Sequence, residues 1–86
     1  MIKINMSNLN NLKVALEKTK VGDKIIVGSD WDYTQEGIIV ESCGKYNVWF
    51  DDHYGDYRWY DDLKEMIKSY WITWSGDVEI IEIELY

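Results

Sequence analysis

The chain has no proline, one cysteine and one histidine among its 86 residues. A lone Cys43 cannot form an internal disulfide, so the fold must stand without a covalent staple, and a reducing cytosol is its natural compartment. A lone His53 with aspartates is a poor structural zinc site, which wants more His or Cys ligands. The EF-hand spacing also fails, because Asp51 and Asp52 are adjacent and Gly55 follows too soon. No metal and no cofactor are expected. Cys43 and His53 are the only candidate nucleophile–base pair, and an extended strand between them places them on the order of 20 Å apart. Neither a glycine-rich phosphate cradle nor a run of membrane-spanning length is present, and no basic-then-apolar leader opens the chain. Enzyme is the least expected class, and a soluble cytoplasmic protein is the expected one.

Positive charge is scarce after residue 24. Residues 1–24 hold five lysines against Glu17 and Asp23, whereas residues 25–86 hold four basic residues against fourteen acids. The net charge is −7. Such a surface repels DNA, RNA and anionic lipid and attracts a basic protein surface. Neither direct nucleic-acid binding nor membrane binding is expected.

Apolar residues are plentiful: 47% of the chain is hydrophobic, and thirteen residues are aromatic. That supports one small core and one domain over residues 1–86. "MIKIN" alternates as a strand. Leu9, Leu12, Ala15 and Leu16 give a helical stripe capped by Ser7 or Asn8 and stopped at Gly22. "KIIVG", "GIIVESC" and "KYNVWFD" read as strands, the last two joined by a two-residue Gly44-Lys45 turn of type II′. That register sets Cys43 opposite Tyr46, Glu41 opposite Val48 and Ile39 opposite Phe50. "HYGDYRWY" reads as a turn and a short strand. "DDLKEMIKSYWITW" is a helix capped by Asp62, with Glu65 completing a capping box. "VEIIEIELY" is a strand with Ile81, Ile83 and Leu85 inward and Glu82 and Glu84 outward, and the broken alternation at Val78-Glu79-Ile80-Ile81 implies a bulge or burial on both sides. The expected fold is α+β, in the order β-α-β-β-β-β-α-β, around an antiparallel, partly curled sheet with two flanking helices.

Residues 22–63 resemble the SH3-like small barrels, Tudor and KOW groups included. The likeness rests on "VGDKIIV", the aromatic loop "DWDY", "EGIIVES" and "YNVWFDDHYGD". Val48, Phe50, Asp52, Tyr54 and Gly55 follow the Tudor pattern, except that His53 is an extra residue and Asp56 stands where the pattern has asparagine. The resemblance implies a curled sheet, with Trp31, Tyr33 and Tyr54 as cage aromatics for a methylated cation.

The stretch "WFDDHYGDYRWYDD", Trp49 to Asp62, concentrates five aspartates and six aromatics. Asp51, Asp52 and Asp56 beside Tyr54, Tyr57 and Trp59 make an acidic and aromatic contact surface, aromatics being common interface hot spots. Glu82 and Glu84, two apart on a strand, stand roughly 6.5 Å apart, close to the spacing of successive phosphates. In size, acidity and Ile-, Lys-, Asn-, Asp- and Tyr-rich composition the chain resembles small phage and mobile-element inhibitors, anti-CRISPR proteins among them. The resemblance implies a nucleic-acid-mimicking inhibitor that occupies the basic surface of a nucleic-acid-handling protein. The alternative is an SH3- or Tudor-like adaptor that reads a peptide or cation through Trp31, Tyr33, Tyr54 and Tyr57.

Overall fold

The computed structural model describes residues 2–6, 9–29, 34–55, 57–71 and 78–86. Strand β1 (Ile2–Asn5) leads to helix α1 (Leu9–Lys18). Strands β2 (Lys24–Ser29), β3 (Thr34–Ser42) and β4 (Lys45–Trp49) follow, then helix α2 (Leu63–Trp71) and strand β5 (Val78–Leu85). The fold is α+β, with an open, antiparallel five-stranded sheet in the order β1-β5-β2-β3-β4. β5 pairs with both β1 and β2, so the β1-α1-β2 segment steps over the strand that is last in sequence. No helix among the described residues is long and apolar enough to cross a membrane.

Both helices bury the described residues of the stripes that the sequence marks, the Leu9 side chain lying outside them. Leu12 and Ala15 of α1, and Met66, Ile67 and Tyr70 of α2, join Ile4, Ile25, Ile39, Val48 and Ile83 of the sheet in one core, with Leu16 and Leu63 packed at its margin. The start of α1 at Ser7 and Asn8, and Trp74 beyond α2, lie outside the described residues. Gly22 has the expected positive φ of 97°. It serves a β-turn closed by the Asp23 N–H on the Lys20 carbonyl, past the helix end, and is not a helix C-cap. The bulge lies where β5 pairs with β2, the register shifting between Ile26 and Val27.

Asp62 caps α2. Its side chain accepts the Lys64 N–H at 3.1 Å, and its carbonyl accepts the first helical bond from Met66. Glu65, the expected capping-box partner, is instead paired with Arg58 at 3.2 Å. Asp62→Ala should therefore cost about 1 kcal/mol. An unchanged chemical-denaturation midpoint would show that the cap carries no weight.

The β3–β4 hairpin corrects the expected register. Its turn is Cys43-Gly44, both with positive φ (54° and 77°), the signature of a type I′ turn. Ser42 pairs with Lys45, Glu41 with Tyr46, Ile39 with Val48 and Ile38 with Trp49. The expected register would set Glu41 against Val48, which is fully buried. The observed one puts Ile39 there, and both side chains are completely enclosed.

The short strand expected in "HYGDYRWY" is two isolated bridges, Trp49–Tyr54 and Tyr46–Tyr60. After β4 the chain reverses tightly, with the Phe50 N–H on the His53 carbonyl and Asp51 at φ 68°. It returns along the outer edge of β4, where Gly55 donates to the Val48 carbonyl and Tyr46 and Tyr60 exchange two backbone bonds. Between the bridges the return run takes six residue steps while β4 takes three, so the surplus residues loop out and no ladder forms. The run still covers an edge that would otherwise be open to strand addition.

Candidate functional site

Alternation along the strands sends Ile4, Ile25, Ile39, Val48 and Ile83 to the core, so their neighbours share the opposite face. Two cross-strand rows on that face follow from the register. The first runs Lys3, Glu84, Lys24, Ile38, Trp49, Tyr54; the second runs Asn5, Glu82, Ile26, Glu36.

The first row changes character along its length. Glu84 is only 6% exposed and stands between Lys3 at 3.6 Å and Lys24 at 3.7 Å, and Lys24 also reaches Glu36 at 3.8 Å. The Lys24 ammonium is held above its usual pKa, chiefly by the Tyr86 hydroxyl and then by the charge of Glu36. Glu84 is thus enclosed between two lysines inside the protein, and only Glu82 of the expected glutamate pair is left partly open to solvent.

Beyond Lys24 the row is apolar. Ile38 is half exposed, and beside it Trp49, Tyr54 and Trp59 form a stack. Trp49–Tyr54 and Tyr54–Trp59 meet edge to face, with ring centroids 4.8 Å apart in both pairs. Such geometry suits the aromatic quadrupole. The rings touch one another, so this stack is a platform with no gap for a cation between them. Trp31 and Tyr33, the other expected cage residues, lie outside the described residues, as does Asp56.

The second row ends at an acidic cleft of about 280 Å³ lined by Gln35, Glu36, Phe50, Asp51 and Asp52. Asp51 and Asp52 are exposed. Asp52 is bonded to His53 Nδ1 at 2.5 Å, and this bond, aided by the imidazole charge, holds its carboxyl below the ordinary range. His53 stacks on Phe50 with centroids 5.8 Å apart, so it supports the turn. Asp61 is also held low, first by its hydrogen bond from Lys45, 2.7 Å away, and then by that lysine's charge. No three His, Cys, Asp or Glu side chains among the described residues converge on a possible metal position. Cys43 and His53 sit in the turns at opposite ends of β4.

The structure therefore gathers Asp51, Asp52, Tyr54 and Trp59 near one corner of the sheet and leaves Tyr57 fully exposed on the adjoining loop. It adds Trp49, Ile38 and Glu36, which the sequence reading did not select. Alternation alone sets Ile38 and Trp49 on one face of the hairpin; the turn one residue earlier makes them direct partners, and Glu36 is placed by the pairing of β3 with β2. Comparison with protein-family models, with curated proteins and with solved structures found no match to this chain.

Proposed function

We propose that this protein is a small acidic inhibitor that occupies the basic surface of a nucleic-acid-handling protein, in the manner of nucleic-acid mimics such as anti-CRISPR proteins. The observation that carries this reading is the solvent-facing side of the sheet. Glu82, Glu36 and the Asp51–Asp52 turn follow one another across it, beside the exposed Ile38 and Tyr54 and the half-buried Trp49 between them. Neighbouring strands are roughly 4.8 Å apart. Glu82 and Glu36 are separated by β2 alone, about 10 Å. Carboxylates at that spacing complement a basic groove, and the adjacent aromatics supply desolvated contact area. The net charge of −7 steers such a partner at long range.

The reading predicts binding that falls steeply with salt, because the screening length drops from about 10 Å at 0.1 M to about 3 Å at 1 M. Asp51→Lys with Asp52→Lys should reduce affinity for the partner by at least about tenfold, by titration calorimetry at low salt. Unchanged affinity would dispose of the acidic mechanism. The second reading, an SH3- or Tudor-like adaptor on a curled sheet, draws on the exposure of Tyr54 on that face. An adaptor reading a peptide or cation would keep its affinity as salt rises, so the same titration separates the two.

A further inference from the structure

Tyr57 has a relative exposure of 106%, against 47% for Tyr54 and 59% for Tyr86. A tyrosine left wholly in water adds no burial to the fold, yet the chain around it is held. Tyr54 before it is bridged to Trp49, and Tyr60 after it is bridged to Tyr46. Arg58, the next residue, lies 4.9 Å over the Tyr60 ring and donates to Glu65 on α2 at 3.2 Å. Trp59 then meets Tyr54 edge to face. The looped-out run thus projects one free aromatic from a backbone pinned at both ends.

We propose that Tyr57 is the anchor of the contact, inserted into an apolar pocket of the partner that is rimmed by lysine or arginine. This rests on the inhibitor reading above and deepens it: the contact is convex here and concave in the partner. Tyrosine offers large amphipathic area with few rotatable bonds, and a pinned loop has less ordering entropy left to lose on binding. The rim follows from charge complementarity, since the exposed Asp51, Asp52, Asp61 and Asp62 flank the loop in sequence on both sides. Trp49, Tyr54 and Trp59, whose rings meet edge to face, form no hollow among themselves.

The test places the photocrosslinker p-benzoylphenylalanine in the full chain at position 57, with position 14 on α1 as the exposed control. The probe is the heparin-retained protein fraction of the cells that carry the gene. One protein should crosslink from position 57 and not from position 14. Against that protein, purified, Tyr57→Ala should lose at least about tenfold in affinity, with Tyr57→Phe near wild type and both melting as wild type does. Equal crosslinking from both positions, or Tyr57→Ala binding within about twofold of wild type, overturns the anchor. If the anchor fails while Asp51→Lys with Asp52→Lys abolishes binding, the inhibitor reading stands without it. If the wild-type chain captures nothing from the basic fraction, both fall.

Discussion

Asp23→Ala is expected to lower the stability of the domain by about 3 kcal/mol, the cost typical of breaking a buried, hydrogen-bonded charge. For a chain of this size that is a melting temperature roughly 12–24 °C lower. Asp23 is completely buried. Its carboxylate accepts the Lys20 N–H at 2.9 Å, the Lys20 ammonium at 2.8 Å and the Tyr86 N–H at 2.9 Å. Its backbone carbonyl accepts from Ile39, while the preceding Gly22 N–H donates to Ile39. One side chain therefore ties the turn after α1 to the residue following β5, and its backbone continues the pairing with β3. Lys20 closes the arrangement from outside by also bonding the Tyr86 carbonyl. Alanine leaves the Lys20 and Tyr86 N–H groups without their charged acceptor, and hydrogen bonds to a charged group are worth more than ordinary ones.

The pH dependence follows with a definite sign. Burial by itself raises the Asp23 pKa; the hydrogen bonds from the Lys20 side chain, the Tyr86 N–H and the Lys20 N–H, with the Lys20 charge, outweigh it and set it below its ordinary 3.8. A carboxyl depressed in the folded state contributes stability that is full above its unfolded pKa and is lost as pH falls through the folded value. The gap in stability between wild type and Asp23→Asn should thus hold at neutral pH and narrow below pH 3.8. Asp52 and Asp61 are present in both chains, so the comparison removes their contribution. A gap that stays constant into strong acid would show that the charge of Asp23 is not the source of its effect.

Gly37→Ala should cost about 3 kcal/mol, at the upper end for overpacking a core. A methyl group at Gly37 would overlap Val48 Cγ1 and come within 2.7 Å of Phe50 Cε1. Val48 is β-branched and fully buried, so it has little rotamer freedom with which to yield. Phe50 cannot retreat either, because Gly55 closes on the other side of its ring: a Cβ there would sit 2.5 Å from Phe50 Cε2 and overlap the Tyr70 hydroxyl. The ring occupies a slot between two glycines on different segments. Shortening it should restore part of the loss, so Gly37→Ala and Phe50→Leu should couple by about 1 kcal/mol or more in a double-mutant cycle of urea denaturation. Strictly additive losses would show that the ring is not the obstacle.

The slot and the latch show what local pattern does not carry. Gly37 reads in sequence as the start of a strand, and Asp23 as part of a turn. Both acquire their importance from residues far along the chain: Phe50 and Val48 for one, Tyr86 for the other. Glu84 is the same lesson on the surface. Alternation places it on the solvent face, and it is on that face, but its two neighbours across the strands are lysines that enclose it. Sequence alternation assigns a side; only strand order decides which charges meet there.

By itself the sequence determined the α+β class, five of the strands, both helices, the core stripes of Leu12, Ala15, Met66, Ile67 and Tyr70, the Asp62 cap and the acidity of the chain. These are local or compositional properties, set by periodicities of 2 and 3.6 and by the chemistry of helix ends. Tertiary structure decided the order β1-β5-β2-β3-β4, the register of the β3–β4 turn and the replacement of an expected strand by two bridges. It also decided which aromatics and acids share a corner. Each of these depends on pairing between distant segments, where a shift of one residue at a turn exchanges every partner across the hairpin.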